Sequence, residues 1–112
     1  MNKTRIYELQ PHDSHKSYYK KAMVIVIDND NEYTRLLKSY DTIVCSMDAC
    51  GNITRYWNDY SATTGRHIAS FCGMNKASFT ALPVKALPAE YAAYETTYWY
   101  DHTNPYNGYI AR

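Results

Sequence analysis

Ala22-Met23-Val24-Ile25-Val26-Ile27, running straight into Asp28-Asn29-Asp30-Asn31-Glu32, is the stretch on which the reading of this chain turns. Alternate side chains of a strand point to opposite sides, so an unbroken apolar, largely β-branched run predicts a strand buried on both faces. The Asn/Asp cluster behind it is turn chemistry, because these residues tolerate left-handed backbone and hydrogen-bond their own amides. The chain is then expected to return antiparallel through Tyr33-Thr34-Arg35-Leu36-Leu37-Lys38-Ser39-Tyr40. An apolar run this short cannot span a bilayer.

Upstream, residues 4 to 10 alternate, with Ile6 and Glu8 on one side and Tyr7 and Leu9 on the other, and predict a first strand ended by Pro11. His12 to Lys21 is polar and basic with Tyr18 and Tyr19 embedded, and reads as a loop or one helical turn. Downstream, a bend at Asp41 leads into a strand over Thr42-Ile43-Val44-Cys45-Ser46-Met47. Asp48-Ala49-Cys50-Gly51-Asn52 is a second tight turn, where Gly51 can adopt positive φ, and Ile53 to Trp57 is its partner strand. Ser61 then caps a helix over 62–72, and Gly73 stops it. Thr64, Ile68, Phe71 and Cys72 share one face of that helix, with Arg66 and Ser70 on the other.

From Met74 the composition changes. Pro83 and Pro88 predict extended chain over Ala77 to Pro88, and Pro88 then opens a short helix over Ala89 to Glu95. The last stretch, Thr96 to Arg112, concentrates Tyr98, Trp99, Tyr100, Tyr106 and Tyr109. The expected architecture is α+β: a small antiparallel sheet of about four to five strands covered by one capped helix, plus an aromatic C-terminal extension with a short helix. The division expected is a β-rich core over 1–75 and an aromatic extension over 76–112 that packs on or beside it.

Charge and cysteine usage narrow the function classes. The 112 residues carry 12 Lys+Arg and 11 Asp+Glu, for a net charge of +1, and include 13 tyrosines. A near-neutral total excludes a globally basic nucleic-acid coat. The distribution is uneven: residues 1–27 hold five Lys/Arg against two acids, whereas 28–73 hold four against six. Basic groups alternating with aromatics over 1–27 suit a single-strand path, an ordinary solvated face being the plainer alternative. An odd set of three cysteines without C-x2-C pairs predicts reduced thiols packed as small apolar groups. The start, Met1-Asn2-Lys3-Thr4-Arg5, has no apolar segment behind it, so a cytoplasmic location is expected.

Patterns that could carry chemistry are thin. Arg66 and His67 could serve phosphodiester cleavage as electrophile and acid/base, but adjacent helical residues diverge by about 100°. The plainer reading solvates Arg66 and hydrogen-bonds His67 beside the sheet. His12, Asp13 and His15, with Asp101 and His102, offer no ligand set at defined spacing, so neither a metal nor another cofactor is expected. Asp28-x-Asp30-x-Glu32 is like a fragment of a calcium loop, yet the central Gly and distal Glu are missing.

One long pattern goes further: Ser39-Tyr40-x-Thr42-x-Val44, Asp48-x-x-Gly51, and Trp57-x-x-Tyr60-Ser61-Ala62-Thr63-Thr64-x-Arg66-His67-Ile68-x-x-Phe71. With Asp13-Ser14-His15-Lys16-Ser17-Tyr18-Tyr19-x-Lys21-Ala22 upstream, it resembles a small domain of unknown function found in phages, plasmids and integrated elements of Gram-positive gut bacteria. The resemblance covers about residues 5–73, and Tyr-Ser-Ala-Thr-Thr-x-Arg-His-Ile is its most specific part. Family members often have Gly at the place of Lys20, and a longer stretch after the helix than Cys72-Gly73.

No catalytic activity attaches to that family, and its size and domain order look like one of the type II anti-CRISPR proteins. The resemblance implies a non-enzymatic protein, active in the host cytoplasm. It would bind a host CRISPR effector nuclease, with or without its guide RNA, and block guide-RNA or target-DNA binding. Candidate contact groups are Lys16, Lys20, Lys21, Arg55 and Arg66, with Tyr98, Trp99 and Tyr100. The acidic turn at Asp28, Asp30 and Glu32 could equally dock in a basic RNA channel. The alternatives are a nucleic-acid-binding module of the mobile element and a small nuclease dependent on His67.

Overall fold

A computed structural model of the chain describes residues 2–12, 18, 21–29 and 32–96. Five strands, β1 (Asn2–Glu8), β2 (Ala22–Asn29), β3 (Glu32–Ser39), β4 (Thr42–Asp48) and β5 (Ile53–Arg55), pair antiparallel in sequence order. The molecule is therefore a small α+β fold built on an open meander. The β4–β5 turn behaves as its chemistry requires, while residues 30 and 31 between β2 and β3 lie outside the described residues. Gly51 sits at φ 89 after Asp48, whose carboxylate accepts the N–H groups of Cys50 and Asn52. Tyr40 takes φ 55 in the two-residue turn to β4, an unusual backbone for a tyrosine. The register slips between Leu37 and Lys38, the place of a bulge.

The β2 run is buried on both faces, as its composition requires. Val24 and Val26 join one core with Leu37, Val44 and Cys45; Ile25 and Ile27 join another with Ile6, Leu36 and Ile43. The first core is roofed by α1 (Ala62–Cys72) and α2 (Lys76–Thr80), which contribute Ile68 and the fully buried Phe79. The second is covered by α3 (Ala89–Ala92) and the 3-10 turn Ala93–Thr96, which bring Tyr91 and Tyr94 against Leu87 and Tyr56. Two polar anchors hold that cover. Lys38 Nζ donates to the Tyr94 carbonyl at 2.8 Å, and Glu95 accepts the Ile43 N–H at 2.8 Å. Among the described residues no helix is long and apolar enough to cross a membrane.

The first helix ends as expected, with Ser61 accepting from the Thr64 N–H and Gly73 left-handed at φ 77. Residues 76–80 do not. Extended chain was the expectation over 77–88, but Asn75 caps α2 by accepting the Ser78 N–H, and both prolines lie beyond its end. Two further boundaries shift: β5 stops at Arg55 rather than Trp57, and the helix after Pro88 tightens to 3-10 geometry at Ala93. The aromatic run Tyr98, Trp99, Tyr100 lies outside the described residues.

Arg55 explains why α2 packs where it does. Its Nε donates to the Trp57 carbonyl at 2.8 Å, and Nη1 donates to the carbonyls of Thr80 and Leu82 at 3.2 and 3.1 Å. The guanidinium also lies 4.8 Å from the Phe79 ring centre. A backbone bond from Lys85 to the Arg55 carbonyl continues the join. Truncating a fully buried ring costs both its transfer energy and a cavity, so Phe79→Ala should destabilise the fold by about 3–5 kcal/mol in urea titrations.

Candidate functional site

Helix α1 has a locked inner face and an open outer one. On the inner face Ser39 Oγ, from the end of β3, hydrogen-bonds Thr64 Oγ1 at 2.9 Å and His67 Nδ1 at 2.8 Å. All three residues are buried, His67 to 2 % exposure. The Tyr18 ring stands edge-on to the imidazole at 4.5 Å, and Tyr40 lies 6.0 Å away. Burial first, then the positive charges of Arg66 and Lys21, lower the His67 pKa from 6.5 to about 4. His67 is thus a neutral structural group at neutral pH.

That arrangement bears on the nuclease alternative. A general acid or base must reach the proton it moves, and an imidazole sealed beneath tyrosine and committed to Ser39 cannot meet a phosphodiester. The Ser39–His67 pair is no hydrolase dyad either, since the hydroxyl is as inaccessible as the ring. Thr64 and His67 instead join the helix to the sheet.

The outer face opens into a cleft of about 290 Å³, lined by Arg66 and Gly65 of α1, Lys76 of α2, and His12, Tyr60 and Met74. Each wall has a local cause. Gly65 is required because the Tyr60 ring occupies the space a Cβ would need. Lys76 Nζ lies 5.7 Å from the centre of that ring. His12 is tied to the helix by its N–H and its imidazole, both to Ser70 Oγ, which also bonds the Tyr18 hydroxyl at 2.7 Å. Ser70 is therefore a fastening for the N-terminal segment, not the outward-facing residue its helical position suggested. Among the described residues no carboxylate lines the cleft, which gathers the charges of Arg66 and Lys76.

The predicted contact residues fall into three groups. Arg66 is exposed on the cleft, and Lys21 is exposed ahead of β2. Arg55 is withdrawn from any partner: it is 7 % exposed and bonded to three carbonyls inside the protein. Lys16, Lys20, Tyr98, Trp99 and Tyr100 lie outside the described residues. Sequence reasoning missed Tyr60, Lys76 and His12 as cleft walls. The one local hint was Gly65, an isolated glycine inside a helical pattern, where close packing is a common cause.

These features lie within one domain family. The chain belongs to a family of unknown function (DUF8033). Its family model matches residues 7–81, which take in the β2–β5 sheet, α1, the cleft and α2. No curated protein and no solved structure matches the chain. Among the described residues of this DUF8033 protein no three His, Cys, Asp or Glu side chains are grouped to hold a metal ion. Cys45 and Cys72 are reduced and pack in the same core, while Cys50 is exposed in its turn; the hydrogen bond to Cys72, together with burial, raises the Cys45 thiol.

The lowered His67 pKa makes stability depend on pH. The unfolded imidazole binds its proton near 6.5 and the folded one near 4, so the contribution is complete above 6.5 and lost as pH falls toward 4. Urea midpoints should fall across that window by the equivalent of about 2–3 kcal/mol. The pH slope should be absent in His67→Gln.

Proposed function

We propose that this DUF8033 protein is a non-catalytic inhibitor carried by a mobile element. It binds a type II RNA-guided Cas effector nuclease in the bacterial cytoplasm and blocks guide-RNA or target-DNA binding. The observation that carries the reading is the cleft on α1, which Arg66 lines and where Lys76 stands over the Tyr60 ring, with no carboxylate among the described lining residues. Cations gathered beside an aromatic wall complement an anionic partner surface, which an effector offers through its guide RNA. The resemblance of the Tyr60 to Ile68 segment supports the choice of partner. Burial of His67 supports binding over cleavage.

A purified effector, with and without guide RNA, tests this by pull-down on the immobilised chain. Capture is expected, and Arg66→Glu with Lys76→Glu should weaken it at least about tenfold, since reversing charges at a docking surface replaces attraction with repulsion. Absence of capture in both effector states would remove the reading.

A further inference from the structure

The sheet carries a second basic surface that shares no residue with the cleft. Strand registers place Arg5 beside Val26, Val26 beside Arg35, and Arg35 beside Met47, so these four side chains form one row across β1 to β4. Paired residues share a face, and this is the face roofed by α1 and α2, because Val26 belongs to their core. Val26 is still covered, but on either side of it the roof thins: Arg5 is exposed, and Arg35 and Met47 are half-buried. Tyr33, two residues before Arg35 and on the same face, is 38 % exposed.

Arg35 has no polar partner among the described residues. Its guanidinium lies 5.5 Å from the Tyr33 ring centre, and its Nε is buried with no acceptor. Among the described residues no carboxylate pairs with it. A buried guanidinium Nε without an acceptor is an incomplete arrangement, since buried donors are normally satisfied. Arg5 stands two strands away, about 10 Å in backbone spacing, close enough for two long side chains to converge. Asp28, across from Tyr33, is the acid of this face and lies one row further out.

We infer that this row binds single-stranded nucleic acid. Arg5 and Arg35 hold the phosphates, for which the planar guanidinium fork is suited, and Tyr33 stacks on a base beside the half-buried Met47. An acidic peptide would satisfy the two arginines but leave the exposed Tyr33 ring unused. Packing against Tyr33 already restrains Arg35, which lowers the ordering cost of binding. The inference is independent of the effector reading.

Fluorescence anisotropy with a labelled single-stranded oligouridylate, at low and at physiological salt, tests it on the full chain. Binding is expected to weaken steeply with salt. Arg5→Gln with Arg35→Gln should reduce affinity at least about tenfold and flatten the salt slope by about two phosphates' worth. Arg5→Gln alone alters only an exposed residue, so it keeps the test open if the double variant does not fold. Tyr33→Ala should weaken binding several-fold with the salt slope kept, because stacking releases no counterions. The inference is overturned by no binding at low salt, by unchanged affinity in a folded Arg5→Gln variant, or by equal competition from polyglutamate. Loss of binding in Arg66→Glu with Lys76→Glu, beside normal binding in the row variants, would place the strand in the cleft and overturn it as well.

Discussion

The Ser39 hydroxyl, shared between Thr64 and His67 inside the core, is the interaction on which the arrangement of this protein depends. A helix that packed by apolar contact alone could rotate by a fraction of a turn and lose little. Here two polar side chains, three residues apart on α1, must meet one hydroxyl at the end of β3. Any other rotation leaves buried donors and acceptors unmatched, each costing about 1–3 kcal/mol. The helix is thereby fixed about its own axis, and the opposite face of α1 is fixed with it. Arg66 points outward because His67 must point inward.

A second constraint completes the cleft. Arg55 is a buried cation whose charge is spread over three backbone carbonyls and an aromatic face. Two of those carbonyls, Thr80 and Leu82, lie at the end of α2 and just beyond it, so the short helix is held against β5. Five residues of helix would not persist alone. Held there, α2 brings Lys76 over Tyr60, and Gly65 lets the Tyr60 ring lie against α1. The candidate binding surface is thus a by-product of two buried polar nodes. Both nodes are spent inside the protein, on joining α1 to the sheet and α2 to β5.

Much of the fold was legible because its signals are local. The β2 run announced a strand covered on both sides, Asn/Asp clusters and Gly51 announced turns, and Ser61 with Gly73 bracketed α1. Two elements were misread for physical reasons. Residues 77–88 look extended because of Pro83 and Pro88, but Asn75 starts α2 before either proline can act. Arg55 looks like a surface cation because a strand position says nothing about which carbonyls will surround it. Ser70 was misplaced for a related reason: its partners, His12 and Tyr18, lie far away in the chain.

The sequence by itself determined the meander, the capped helix and the division into apolar faces, since period, turn chemistry and capping act over a few residues. It also singled out the segment from Tyr60 to Ile68, although not what each residue there does. Only the tertiary structure decided that His67 and Arg55 are sealed inside while Arg66, Lys76 and Tyr60 meet outside. The same holds for the Arg5–Val26–Arg35–Met47 row, which exists through strand register alone. The physical reason is common to both. Burial and the convergence of side chains distant in sequence are properties of packing, and a residue's own type and neighbours do not encode them.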